Sequence, residues 1–246
     1  MELISEYYAQ LKRQGIGSDE MTAKALSFIG TTTSDTRILD VGCGTGGQTM
    51  VIAQTVSGQI TGLDALPRFI DIFNENAAKL KVQDRVSGIV GSMESLPFPN
   101  ESLDVIWCEG AIYNVGFARG WREWRNYLKH DGYLAVTDAS WLTEERPPAI
   151  EDYWRHHYPG ITTVAQNVAI MQESGYVPVA VFTMPENCWT DNYFAPQISV
   201  QDAMLKKYHG NTVVKEFVEG CRHEERMYHD YNKYYGYVFY IGKKSA

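Results

Sequence analysis

The chain contains no run approaching the ~20 consecutive apolar residues that span a bilayer, and it begins Met-Glu-Leu-Ile-Ser-Glu, with neither a basic nor an apolar targeting region. A cytoplasmic protein is the expectation. Basic residues are scarce: 22 Lys and Arg against 30 Asp and Glu leave a formal charge of −8. That balance argues against a protein that coats nucleic acid, because such affinity comes mainly from cations neutralising phosphates. The four cysteines, Cys43, Cys108, Cys188 and Cys221, are far apart and show no C-x-x-C spacing, which suits reduced thiols rather than a disulfide framework or a zinc site. Internal repeats, low-complexity runs and Pro/Gly/Ser linkers are missing as well. What is present is the composition of an ordinary globule, 44% hydrophobic and 21% charged, and 246 residues suffice for one large α/β domain or for one domain with an appended cap.

One stretch organises the rest. Ile38, Leu39 and Val41 supply a buried strand, Asp40 interrupts it with an acid, and Gly42, Gly44, Gly46 and Gly47 follow in a loop where missing Cβ atoms permit close approach of a ligand. A helix over 49–56 then places that ligand at a helix N-terminus. The glycines fit Gly42-x-Gly44-x-x-Gly47, the dinucleotide fingerprint, and equally Gly42-x-Gly44-x-Gly46. Asp40 bears on the choice, since a fixed negative charge repels a pyrophosphate and attracts the ammonium and sulfonium of S-adenosylmethionine. Cys43 reads as a small side chain in a tight place.

Along the chain, Leu3, Ile4, Tyr7, Tyr8 and Leu11 have helical spacing over 2–14. Ser18 or Asp19 caps a second helix to Ile29, with Met21, Ala25, Leu26, Phe28 and Ile29 inward. Both helices precede the first strand and read as a cover over the ligand. Strands follow over 58–64, 85–91, 102–108 and 133–138, alternating with helices over 67–80 and 116–129. This alternation implies a doubly wound parallel sheet with ligands outside the carboxyl ends of its strands. Asp64 closes the second strand about 20 residues past the loop, where a carboxylate accepts from ribose hydroxyls; it can also cap the next helix, which Pro67 begins.

These residues resemble the class I S-adenosylmethionine-dependent methyltransferases, especially the small-molecule group similar to the quinone-biosynthesis methyltransferases. The matching pieces are Ile38-Leu-Asp-Val-Gly-Cys-Gly-Thr-Gly46, Thr61-Gly-Leu-Asp64, Gly91-Ser-Met-Glu-Ser-Leu-Pro-Phe98, Ser102-Leu-Asp-Val-Ile-Trp107 and Leu128-Lys-His-Asp-Gly-Tyr-Leu134. The resemblance implies a seven-stranded, mostly parallel, Rossmann-like sheet whose last strand, over 235–242, runs antiparallel between the fifth and the one over 176–184. A helix over 162–174 and a helical insertion over 187–233 complete it. The division expected is a cover over 1–34, a core over 35–186, the insertion over 187–233 and the last strand over 234–246. By the same resemblance S-adenosylmethionine is the cofactor. Gly42, Cys43 and Gly44 would lie along its methionine portion, Asp40 would orient the amino group directly or through water, Asp64 would take the ribose hydroxyls, and Ala65, Ser92 and Met93 would border the adenine. Cys108 or Glu109 would floor the site near the methyl group. Ser92 stands where the family often has Asp, so the usual carboxylate contact to the adenine amino group is replaced or lost.

Methyl transfer from a sulfonium is an in-line displacement that needs alignment and water exclusion, so no catalytic residue is assigned. Glu109, Tyr113, Asn114, Asp138 and Trp141 are candidates at the mouth, joined by Tyr7 and Tyr8, whose rings could hold a cation and whose spacing equally reads as core. His156, His157, His223 and His229 do not converge at metal-ligand spacing, and with Glu224 and Glu225 the last pair reads as solvated helix charge. The dense tyrosine tract from Tyr228 to Tyr240 can be explained by packing alone. Cys108-Glu-Gly-Ala stands where nucleic-acid methylases of the family carry Asn-Pro-Pro-Tyr. The expected partner is therefore a small-molecule acceptor, with no nucleic acid and no membrane, and homodimerisation stays open. Two rivals remain: a binder of S-adenosylmethionine without transfer activity, and an NAD-type oxidoreductase.

Overall fold

The structure is a computed structural model that describes residues 2–245. After two short helices, α1 (Glu2–Tyr8) and α2 (Asp19–Leu26), strands and helices alternate: β1 (Arg37–Val41), α3 (Gly47–Thr55), β2 (Gln59–Asp64), α4 (Pro67–Lys79), β3 (Val86–Val90), β4 (Leu103–Cys108), α5 (Phe117–Trp124) and β5 (Leu128–Trp141). There follow α6 (Pro148–His157), the two-residue β6 (Thr162–Thr163), α7 (Val164–Glu173), β7 (Tyr176–Thr183), α8 (Asn187–Trp189), a π turn over Thr190–Phe194, α9 (Ala195–Lys207), α10 (Thr212–Tyr231) and β8 (Tyr235–Lys244). Among the described residues seven strands form one sheet in the order β3-β2-β1-β4-β5-β8-β7, with β6 beside the end of β5. All pairs are parallel except those of β8, which runs antiparallel between β5 and β7. The order reverses between β1 and β4, so their carboxyl ends open a crevice where loops diverge to opposite faces.

Alternation along the strands divides the core into two layers. Ile38, Val105, Trp107, Ala135 and Phe239 meet α2, α3 and α4 on one face. Leu39, Val41, Ile106, Leu134 and Val238 meet Trp121 and Trp124 of α5 and Met171 of α7 on the other. Strands buried on both sides explain the nearly continuous apolar runs of β1 and β4.

Several element boundaries differ from expectation. The first helix stops at Tyr8, although the apolar spacing continues to Leu11, because the amides of Gln10 and Leu11 bond three residues back and the chain leaves the helix. Ser18 caps α2 through the Met21 amide, but Phe28 lies beyond that helix and is 38% exposed. The helix expected over 116–129 ends at Trp124; Leu128 already pairs with Leu103, and Asp131, with φ +62°, sits in a bulge that the sequence reads as a turn before the strand. Helix α6 was not anticipated from the sequence.

Candidate active site

A cavity of about 790 Å³ opens at the carboxyl ends of the strands. One lobe is bordered by the glycine loop, the end of β2, Gly91 to Glu94, and Glu109 to Ala111; Gln14, Gly15 and Ile16 cross over it. The other lobe lies between β5, α1, α6, the π turn and α10. Of the residues singled out from sequence, Gly42, Cys43, Gly44, Asp64, Ala65, Ser92, Met93, Glu109, Tyr113, Asn114, Asp138 and Tyr8 all border this space. Asp40, Cys108, Tyr7 and Trp141 do not.

Asp40 points away from the cavity and is fully buried. Its Oδ2 accepts from Thr49 Oγ1 at 2.5 Å and Gln48 Nε2 at 3.0 Å, its Oδ1 has no partner, and burial pushes its carboxyl up to about 8. A direct contact from Asp40 to a ligand is thus replaced by an indirect one: Gln48, held by Asp40 and the Cys43 carbonyl, does border the cavity. Cys108 is sealed beneath the floor and Cys43 is 1% exposed. Tyr7 packs edge-on against Phe217 and donates to Gln197 Oε1, so it belongs to the core between α1 and the insertion.

Glu109 borders the cavity with a carboxylate already engaged. Oε1 accepts from Thr22 Oγ1 (2.7 Å) and Trp107 Nε1 (2.8 Å), and Oε2 accepts from Arg13 Nη1 (3.0 Å). Arg13, itself 7% exposed, also reaches Thr22 and Asp19. This buried pair joins the end of β4 to the segment between the first two helices, which explains why that segment lies over the crevice.

The glycine loop is not free to cradle a phosphate. The amides of Gly42 and Cys43 donate to the Leu63 carbonyl, Gly44 to Asp64 Oδ2, Thr45 to Gln14 Oε1 and Gly46 to the Cys43 carbonyl, so five consecutive donors are used within the protein. The N-terminus of α3, expected from sequence to face the ligand, is covered instead: the Lys12 carbonyl lies 2.5 Å from where a Cβ on Gly47 would stand. Among the described residues bordering the cavity none is Lys or Arg, whereas Asp64, Glu94, Glu109, Asp138 and Glu224 are acidic. A pyrophosphate would meet neither free amides nor cations here.

Asp64 presents its carboxylate at the loop, with Oδ1 accepting from the Leu66 amide at 2.9 Å and Oδ2 from Gly44; burial raises its pKa. Each oxygen retains a lone pair for a further donor. Ser92 Oγ accepts from the Glu94 amide and the Met93 carbonyl from Trp124 Nε1, which fixes the turn after β3.

In the second lobe, Asp138 of β5 is 1% exposed; Tyr158 donates to its Oδ2 at 2.7 Å, while Oδ1 has no partner. Burial pushes its pKa up to about 7, and does the same for Glu224, whose Oε2 receives Tyr193 at 3.4 Å. The reading of Glu224 as solvated helix charge is therefore corrected: α10 turns it into the cavity beside Cys221 and Phe217, while His223 and His229 stay exposed. Sequence reasoning also passed over Tyr153, Trp154, His157 and Tyr158. Pro147-Pro148 followed by Ile150, Tyr153, Trp154 and His157 at i, i+3, i+4 and i+7 is the signal that could have revealed α6. Among the described residues no cluster of His, Cys, Asp and Glu could hold a metal ion.

Comparisons with known proteins bear on the family and the fold. Residues 39–136 match the family described as a methyltransferase domain. The chain is 27% identical over 168 residues to 27-O-demethylrifamycin SV methyltransferase of Amycolatopsis mediterranei, covering 63% of this chain and 60% of that protein. It is 28% identical over 171 residues to 2-methyl-6-phytyl-1,4-hydroquinone methyltransferase of Synechocystis, covering 63% and 52%. The chain thus spans little more than half the length of these relatives. The structure of a methyltransferase from Geobacter sulfurreducens in complex with S-adenosylhomocysteine has the same fold, with a TM-score of 0.84 at 20% identity over 98% of this chain and 97% of that one.

Proposed function

We propose that this chain, whose residues 39–136 match a methyltransferase-domain family, transfers a methyl group from S-adenosylmethionine to a small-molecule acceptor in the second lobe of its cavity. The observation that carries this reading is the glycine loop with its amides already spent, in a cavity lined by acids and, among the described residues, by no Lys or Arg. It is unsuited to a diphosphate and suited to a ligand bearing an ammonium and a sulfonium. When bound, S-adenosylmethionine supplies a methyl group made electrophilic by the positive sulfur.

Residues of this chain account for binding and alignment. Asp64 would accept the ribose hydroxyls, with Ala65, Ser92 and Met93 bordering the adenine. Gly42, whose added Cβ would lie 2.5 Å from that of Ala111, lets the loop close against the β4 turn around the methionine portion. Gln48, its amide nitrogen held by Asp40, leaves its carbonyl oxygen for the ammonium group. The cover of α1 and Lys12 to Ile16 excludes water from the crevice, and the insertion over 187–233 walls the acceptor lobe. A division into core, cover and insertion, and cytoplasmic residence consistent with four free thiols, belong to the same proposal. Among the described residues no helix is long and apolar enough to cross a membrane.

Calorimetry of the full chain with S-adenosylhomocysteine, S-adenosylmethionine and NADH tests the reading. Binding of the two adenosyl-sulfur ligands and silence with NADH are expected. Tight NADH binding without them would overturn it. Release of S-adenosylhomocysteine with a methylated product in an acceptor pool separates an enzyme from a mere binder.

A further inference from the structure

We infer that the acceptor is an organic amine, bound as a cation in the second lobe with Asp138 as its carboxylate partner and tyrosines along the wall; this rests on the methyltransferase reading above. Three features of the second lobe lead there. The first is Asp138 Oδ1, which has no donor and belongs to a buried side chain, 1% exposed, that borders the cavity. An orphaned carboxylate oxygen in such a place calls for a donor from the ligand. The second is charge: Asp138 of β5 and Glu224 of α10 both border the cavity, which no Lys or Arg lines among its described residues. An anionic acceptor would be repelled by both. A neutral hydroxyl could donate to Asp138 but would leave its buried charge uncompensated, whereas an ammonium supplies both the donor and the counter-charge. The third feature is the wall: Tyr8, Tyr113, Tyr153, Tyr158, Tyr193 and Tyr237 border the lobe, and aromatic faces attract a desolvated cation. Burial pushes Tyr158 and Tyr193 well above the ordinary phenol range, so they stay neutral donors to the two carboxylates instead of competing for the cation.

The same arrangement supplies the step that an amine needs. A protonated amine has no lone pair, so its proton passes to Asp138, which burial has already raised to about 7. The free nitrogen then forms the N–C bond as the C–S bond breaks, with the electron pair of that bond leaving on sulfur. The methylated product is again an ammonium, and the proton held on Asp138 is released to solvent as that carboxyl ionises again.

The test uses the full chain saturated with S-adenosylhomocysteine and titrated with 2-phenylethylamine, 2-phenylethanol and phenylacetate, three ligands of similar shape and different charge. The amine is expected to bind at least about tenfold more tightly than the alcohol, and the carboxylate not at all. Asp138→Asn should erase most of that preference and Glu224→Gln should reduce it, while S-adenosylhomocysteine affinity stays near wild type. Two variants on different elements keep the test valid if one folds poorly. Equal binding of amine and alcohol, a preference that survives both substitutions, or a parallel loss of S-adenosylhomocysteine binding would overturn the inference. In the first two cases the cofactor reading stands, whereas failure of wild-type protein to bind S-adenosylhomocysteine brings both down.

Discussion

Replacing Arg13 by Met tests whether the cover is tied to the sheet by one buried ion pair. The substitution keeps the apolar stem and removes the one donor to Glu109 Oε2 among the described residues, leaving a 7%-exposed carboxylate with Thr22 and Trp107 on its other oxygen. Stranding one partner of a buried pair costs about 3 to 5 kcal/mol. The two remaining donors put this case near the lower end, at about 3 kcal/mol. Glu109→Gln strands Arg13 in turn, with only the half-exposed Asp19 as counter-charge. The double variant removes both charges and should cost no more than Arg13→Met alone, a coupling of about 2 kcal/mol. Urea unfolding of the four proteins measures the cycle, and hydrogen exchange locates the effect. Amides of residues 9–17 should exchange faster in Arg13→Met than in wild type, ahead of the strands, with weaker S-adenosylhomocysteine binding. Costs that merely add, together with unchanged exchange in that segment, would refute the anchoring argument.

Asp64→Ala should weaken S-adenosylhomocysteine binding by about 1 to 3 kcal/mol in calorimetry through lost charge-assisted hydrogen bonds, and unchanged affinity would show the ribose assignment wrong. Gly42→Ala forces a side chain into φ +71° and against Ala111, so it should lower both the thermal midpoint and cofactor affinity. Stability of the ligand-free protein should also depend on pH in a definite direction. Asp40, Asp138 and Glu224 are raised by burial to about 8, 7 and 7 from an ordinary carboxyl value of about 4. Between those limits the folded state holds more protons than the unfolded one, so the contribution of these groups is complete below pH ~4 and is lost as pH rises through 7 to 8. A thermal midpoint that falls from pH 5.5 to 8.5, with a shallower slope in Asp138→Asn, is expected; a rising midpoint would contradict it.

Strands and the glycine loop were legible in the sequence because their signals are local: a few apolar residues, an acid, and glycines at fixed offsets. The sheet's parallel order and antiparallel insertion followed from the resemblance. What escaped depends on distant partners. Nothing near Arg13 announces Glu109, and the loss of helix after Tyr8 follows from where Arg13 and Gln14 find their partners. Glu224 looked solvated because α10 bears charges on several faces, and only the packing of that helix over the crevice turns this one inward. Asp40 stands out in the sequence as an acid within an apolar strand, yet it is buried away from the cavity lining, and its hydrogen bond goes to Gln48, which does border the cavity.

Strand β8 slots between β5 and β7, both of which precede it by long stretches of chain, and Tyr237 on it faces the cavity. Until that slot is filled, β5 and β7 each present an unpaired edge, and the pairing that closes it has high contact order and is slow for that reason. Assembly of this protein should accordingly pass through a species with the nucleotide-type half ordered and the far half open. That species would be prone to stick to its neighbours and could bind an adenosyl ligand before any acceptor chamber exists.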